Sequence, residues 1–313
     1  MNVKIFRDIN HQLNHILVLP ESDFRIQCSD IETLLPWLPI LFLSMKNEHM
    51  KVTMITGASG GIGKAIADQL AGRKHDLLLI ARNKETLQEQ CKLLMQQHGI
   101  SAHYIAADLS APETALRVFT EVTLRGLEVE MLINNAGIGS GGDFTAISLQ
   151  SELNLIQLNI NSLVSLTHLF LPQMQSRRNG TLVNIASMTA FMPVPYMAVY
   201  AASKAFVRSF TQAITEECKP KGVCVLLFSP GLTRTNFNAS AGIEGEKALR
   251  LRSNHNQAAS QTPEQVAVEL IKALDEQRNF AISGRKNRIR AKLMALLPSS
   301  MIARNIASAY RKG

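Results

Sequence analysis

Between Lys51 and Ser283 the chain repeats one rhythm: a short, mostly apolar run, then a stretch of helical length whose apolar residues recur every three or four positions. The runs are Val52–Ile55, Leu77–Ile80, Tyr104–Ala107, Val129–Ile133, Leu182–Ile185 and Val223–Phe228, with a last one near Phe280–Ser283. A strand with one wet face alternates apolar and polar residues, whereas a run without alternation is covered on both faces. Such runs, separated by amphipathic helices, predict an α/β domain with a doubly wound parallel sheet and right-handed crossovers. The pattern places one domain at 50–284, an N-terminal extension at 1–49 and a C-terminal tail at 285–313.

Residues 1–49 read equally as an extension with its own packing or as the product of an upstream start, since Met45 and Met50 would each open the domain naturally. Their apolar run Leu34–Leu43 is broken by Pro36 and Pro39 and is too short to cross a bilayer. It also lies too far from Met1 to read as a signal peptide. The cysteines Cys28, Cys91, Cys218 and Cys224 form no CxxC pair and no zinc-ligand spacing, and the histidines include no HExxH. The expectation is a cytoplasmic protein with reduced thiols and no metal. The net charge of +8 equals the tail's eight cations, Arg285, Lys286, Arg288, Arg290, Lys292, Arg304, Arg311 and Lys312, among which no acid falls, so the rest of the chain is balanced.

The first apolar run leads straight into Thr56-Gly-Ala-Ser-Gly-Gly-Ile-Gly63, and a helical pattern follows. Glycines there let the chain turn sharply, let the backbone approach a pyrophosphate and let helix and strand pack closely. The helix start offers free N–H groups and a positive dipole end to phosphates. The GxxxGxG spacing departs from the usual GxGxxG of dinucleotide sites. The second run ends Leu79-Ile-Ala-Arg-Asn83 without an acid for a ribose 2′-hydroxyl. Arg82 there suits a 2′-phosphate, which favours NADP over NAD, and Ser59 can add a hydrogen bond. Taken alone, Arg82 reads as readily as a solvated residue at a strand end.

These segments resemble the short-chain dehydrogenase/reductase family over about Lys51–Ser283. The glycine loop, with Gly57, Gly61, Ile62 and Gly63, is similar to that family's TGxxxGxG. Asn134-Asn135-Ala136-Gly137 matches its NNAG, and Asp108 its aspartate beside the adenine. Tyr200 and Lys204 match YxxxK; Ser187, thirteen residues earlier, matches the catalytic serine, and Asn159 the helix asparagine. Pro230-Gly231 and Thr235 match the segment that closes over the nicotinamide. The resemblance implies a Rossmann fold, an NADP(H) cofactor and interconversion of a carbonyl and an alcohol, with Asn159, Ser187, Tyr200 and Lys204 as catalytic residues. An isolated Tyr-x-x-x-Lys pair would instead read as a core tyrosine beside a snorkelling lysine. The weight lies in seven elements in order.

Carbonyl reduction needs a hydride, a proton and polarisation of the oxygen. Tyr200 and Lys204, four apart on a helix, share a face. A nearby ammonium favours the phenolate and lowers a phenol's pKa from about 10, so that tyrosine can exchange a proton. Ser187 follows a strand and falls at the carboxyl end of the sheet, where open α/β folds bind ligands. By resemblance, Asn159 holds a water that links Lys204 to solvent, and Lys204 also binds the nicotinamide ribose.

The substrate side is less defined. Asn236–Gln261 matches the family's lid. Phe237, Ile243, Leu249 and Leu251, with Phe191, Met192 and Val194, make either a partly apolar pocket for a small-molecule carbonyl or alcohol, or core. Tyr196 reads as pocket wall or core. Pro298 divides the tail into two short helices. The tail reads as packing at a subunit interface or near the substrate entrance, with weak peripheral attachment to anionic membrane as the alternative. It carries no nucleic-acid recognition motif and almost no interleaved aromatics. A homodimer or homotetramer is expected from the family. Two other functions stay open: a non-enzymatic NADP(H)-binding sensor or interaction protein on this fold, and an NAD-linked alcohol dehydrogenase.

Overall fold

The computed structural model describes residues 49–235, 237, 260–294 and 296–312. The expectations for residues 1–48, and for the lid beyond Phe237 up to Ala259, lie outside the described residues.

Each apolar run forms a strand: β1 (Met50–Thr56), β2 (Leu77–Ala81), β3 (Ala102–Ala106), β4 (Leu127–Asn134), β5 (Thr181–Ile185), β6 (Cys224–Ser229) and β7 (Phe280–Ile282). They make one sheet in the order β3-β2-β1-β4-β5-β6-β7, and every neighbouring pair is parallel. The helices are α1 (Gly61–Gly72), α2 (Lys84–His98), α3 (Thr114–Leu124), α4 (Leu149–Ile156), α5 (Ser162–Arg177), α6 (Ala198–Cys218), α7 (Pro263–Asp275), α8 (Arg285–Met294) and α9 (Ser299–Lys312).

Both faces of the sheet are apolar because both are covered. On β2, Leu77, Leu79 and Ala81 join Ile66 and Leu70 of α1, Leu94 of α2 and Leu270 of α7 in one core. Leu78 and Ile80, pointing the other way, join Val118 of α3, Phe170 of α5 and Cys218 of α6 in a second core. Phe170 and Phe228 are almost wholly buried, and each contributes about 1.5–3 kcal/mol from apolar burial alone.

The strand order reverses between β1 and β4, so their carboxyl ends open a crevice. A polar seam stiffens the sheet on the way to it. Asn134 on β4 donates to Asn184 Oδ1 on β5 (2.9 Å) and to Thr167 Oγ1 on α5 (3.1 Å). Asn184 in turn donates to Thr211 Oγ1 on α6 (3.0 Å). All four side chains are buried, and burial without these partners would cost about 1–3 kcal/mol per group.

Three helices carry side-chain caps that fix their starts, the one on α4 being Ser148 Oγ, which accepts from Ser151 N (3.2 Å). Asn83 Oδ1 accepts from Thr86 N on α2 (2.7 Å), and Thr262 and Gln265 form a reciprocal capping box on α7. Helix α1 follows the N-cap Gly60, which makes no side-chain cap, so its first N–H groups have no capping side chain.

Pro298 separates α8 from α9, as the sequence predicts. Both pack on the domain. Asn287 of α8 donates to Ser283 O (2.8 Å) and Arg288 pairs with Glu269 (3.6 Å), while α9 buries Ile302.

Candidate active site

The site is assembled at the carboxyl ends of β1, β4, β5 and β6. Its floor is the glycine turn after β1. Gly57 has φ +65°, and Gly61 φ +53°, where a side chain would be strained. Gly63 is required by closeness: a Cβ there would lie 2.3 Å from Gly57 O and 2.6 Å from Asn135 Nδ2. Gly60, by contrast, has open space beside it. Ile62 turns its side chain onto the core, and Ser59 stays half-buried beside it.

Thr56, which the sequence reading did not single out, ties the turn to β4. Its Oγ1 accepts from Asn135 N (3.0 Å) and Ala136 N (2.9 Å). Asn135 Nδ2 donates back to Thr56 O (2.9 Å) and Gly57 O (3.3 Å). The Asn135 amide group therefore shapes the phosphate turn directly. The turn, the uncapped start of α1 and the open face at Gly60 together fit a bound pyrophosphate. Further along the crevice, Arg82 is exposed at the end of β2. Asp108 is also exposed; its partial burial raises its pKa, but the Ser110 hydroxyl and N–H and the Arg82 charge outweigh this and hold the carboxyl below its ordinary value.

The catalytic candidates converge on α6. Tyr200 and Lys204 are 7% and 5% exposed, so both polar heads point into the site rather than to solvent. Lys204 Nζ donates to Ile185 O at the end of β5 (3.1 Å), and burial pulls its pKa down to about 8. Burial raises the pKa of Tyr200, and the neighbouring Ser187 and Thr189 hydroxyls oppose that rise only in part. Thr189 Oγ1 is near enough to influence the phenol but makes no directed hydrogen bond. The expected lowering of the Tyr200 pKa is therefore not a property of the protein alone. Removal from water outweighs the hydroxyl dipoles.

Ser187 caps the turn Met188–Phe191, its Oγ accepting from Thr189 N (3.2 Å). Asn159 sits in a π-helical turn, Gln157–Asn161, inserted between α4 and α5. Its Oδ1 accepts from Ile138 N (2.9 Å), and its Nδ2 donates to Ile138 O (2.9 Å) and Ser203 Oγ (3.1 Å). Ser203, inside the Tyr200–Lys204 motif, donates onward to Tyr200 O (2.7 Å). Asn159 thus locks the segment after β4 to α6. Gly137 lies between them: a Cβ there would be 3.1 Å from Asn159 Oδ1 and 3.4 Å from Lys204 Nζ.

The segment Pro230–Thr235 lies beside the same residues. Pro230 O accepts from Met188 N (3.0 Å). A Cβ on Gly61 would come 3.2 Å from Thr235 Cγ2, so Thr235 stands over the phosphate turn. Gly231 is pressed against Asn287 of α8, where a Cβ would meet Nδ2 at 2.0 Å. The Phe237 ring lies 5.4 Å from that of Tyr200. Phe191 packs under the Arg208 guanidinium (4.4 Å) and beside Phe280 (6.1 Å), which makes it a supporting residue. Tyr196 stacks on Tyr310 of α9, 3.7 Å between centroids and 13° between planes. That contact puts the end of the tail four residues along the chain from Tyr200.

Residues 51–244, which carry the glycine turn and the cluster of Ser187, Tyr200, Lys204 and Asn159, match the family model for short chain dehydrogenases, so the chain belongs to that family. It is 33% identical over 191 residues to the very-long-chain 3-oxoacyl-CoA reductase-A of Danio rerio, covering 60% of this chain and 59% of that one. It is 36% identical over 196 residues to the 17-beta-hydroxysteroid dehydrogenase type 3 of Mus musculus, covering 62% of each. The chain therefore spans about three fifths of the length of these curated relatives. A short-chain dehydrogenase from Sphingobium yanoikuyae, solved with NADPH, superposes with TM-score 0.68 at 29% identity, over 80% of this chain and 96% of that one.

Proposed function

We propose that the protein is an NADP(H)-dependent oxidoreductase that interconverts a carbonyl and an alcohol on a large apolar substrate. The observation that carries this reading is the convergence of Tyr200, Lys204, Ser187 and Asn159 beside a glycine turn that fits a pyrophosphate. A bound nicotinamide would supply or accept the hydride. Ser187 would hydrogen-bond the substrate oxygen and hold it against the phenol. Tyr200, kept protonated by burial, would give its proton to the developing alkoxide and take it back in the reverse direction. Lys204 would bind the ribose and place its positive charge near the phenol.

Gly57, Ser59, Gly61, Ile62 and Gly63 would hold the pyrophosphate through backbone and hydroxyl groups, with Asn135, Ala136 and Gly137 forming the next wall. Pro230, Gly231 and Thr235 would close over the nicotinamide, and Asp108 would lie by the adenine. Arg82 would meet the 2′-phosphate, a reading supported by its exposure at the end of β2 and by the NADPH in the Sphingobium yanoikuyae enzyme. The names of the two relatives, an acyl-CoA reductase and a hydroxysteroid dehydrogenase, favour an acyl or steroid-like carbonyl. Exposed Leu149 and Leu153 on α4 and Phe206 on α6 are the apolar surface through which subunits would pair.

The test is a panel of acyl, steroid-like and sugar-like ketones with NADPH oxidation as the readout. Turnover of an apolar member is expected. If no member turns over and NADPH binds normally, the oxidoreductase reading fails. For the cofactor, Arg82→Ser should weaken NADPH relative to NADH by about tenfold or more in kcat/KM, since a charge-assisted pair is lost. An unchanged ratio would remove Arg82 from that role.

A further inference from the structure

Helix α8 has an inside and an outside. At about 100° per residue, Asn287, Ala291 and Met294 form the face turned to the domain, and they are its less exposed positions. Ile289 and Leu293 lie on the opposite face and are 61% and 58% exposed. The connection to α9 continues the same character: Leu296 is 81% exposed, Leu297 44% and Met301 36%. An ordinary surface helix has its apolar stripe turned inward. Here the outward stripe is apolar, and five large side chains stand out together on one short stretch.

The charges around the stripe are arranged with it. On the helical projection, Arg285 and Lys292 flank Ile289 and Leu293 on one side, and Lys286 and Arg290 flank them on the other. Arg288 pairs with Glu269, but the other four cations of α8 have no ion pair among the described residues. Residues 284–313 contain no acid. Arg304 adds a further exposed cation on α9, while the inward face of α9 is occupied by Ile302 and by Tyr310 stacked on Tyr196.

We propose that α8 and the Leu296–Met301 connection form a docking surface for an anionic lipid bilayer. The apolar centre enters the headgroup–acyl boundary and the flanking cations meet lipid phosphates, which is the division of labour of interfacial helices. An acidic protein would account for the cations but would leave Ile289, Leu293 and Leu296 in water. A second copy of this chain would bring like charges together. The tail reaches the domain at Gly231 through Asn287 and at Tyr196 through Tyr310, so a bilayer at α8 lies on the side of the chain that carries the substrate segments.

The experiment is co-sedimentation of the full-length protein with phosphatidylglycerol vesicles and with phosphatidylcholine vesicles, at low and high salt, with turnover playing no part in the readout. Failure of the catalytic reading would therefore leave the result intact. Binding to the anionic vesicles, weak binding to the neutral ones and release by salt are expected. Ile289→Ser with Leu293→Ser should lower partitioning at least tenfold. Arg290→Ser should lower it about fivefold, the value of one cation near such a surface. Circular dichroism and thermal midpoints of the variants establish that they remain folded. Absence of binding to phosphatidylglycerol, equal binding of the apolar double variant, or preference for duplex DNA over vesicles would each overturn the proposal. So would a dimer in light scattering that the double variant abolishes.

Discussion

Burial raises the cost of charge on both Lys204 and Tyr200. With its folded pKa near 8 against about 10.5 unfolded, Lys204 binds fewer protons folded than unfolded in that window. Stability from this group therefore rises as pH increases from about 8 to 10.5, and below 8 the buried ammonium costs up to roughly 3 kcal/mol. Lys204→Met should remove that slope: its denaturation free energy, measured from pH 7 to 10.5, should exceed the wild type's most at pH 7 and converge with it at the alkaline end. A parallel pair of curves would show that Lys204 is not held uncomfortably. At this scale the sequence was most legible where a residue acts through a motif. Tyr200, Lys204, Ser187 and Asn159 are brought together in the candidate site. It was least legible where a side chain acts on distant backbone: Thr56 is an unremarkable strand threonine until Asn135 and Ala136 donate to it.

At the scale of elements, the glycine turn and α1 act as one piece. Gly63→Ala puts a methyl into the Gly57 carbonyl, and strain of this kind typically costs about 1–3 kcal/mol. The variant should melt lower and bind NADPH at least tenfold more weakly. Gly60→Ala, at an extended backbone position (φ −172°) with open space beside it, should leave the melting temperature unchanged. Equal behaviour of the two variants in calorimetry would contradict the assignment of the turn. All seven strands were readable because a buried parallel strand is mostly apolar, and their ends shifted by only a few residues. The π-helical turn at Gln157–Asn161 was not readable. Within it Asn159 bonds to Ile138 across the site, a contact with no local signature.

For the whole molecule, the doubly wound order explains why residues from Gly57 to Lys204 meet: the reversal between β1 and β4 opens the crevice, and each catalytic candidate follows a strand end or sits on the helix packed behind one. The basic tail was visible as charge, but its attachment was not, since Asn287 against Gly231 and Tyr310 on Tyr196 join residues 56 and 114 positions apart. The same is true of the Thr167–Asn134–Asn184–Thr211 seam, which links two strands and two helices. The proposed function depends most on the Tyr200 phenol exchanging one proton with a substrate oxygen. The direct measurement is single-turnover and steady-state oxidation of NADPH by Tyr200→Phe on a ketone that the wild type reduces, with NADPH affinity followed by fluorescence. Turnover should fall by about 10²–10⁴-fold, the usual contribution of a positioned acid, while NADPH binds within a few-fold of wild type. Turnover near the wild-type rate, with the cofactor bound, would contradict the account.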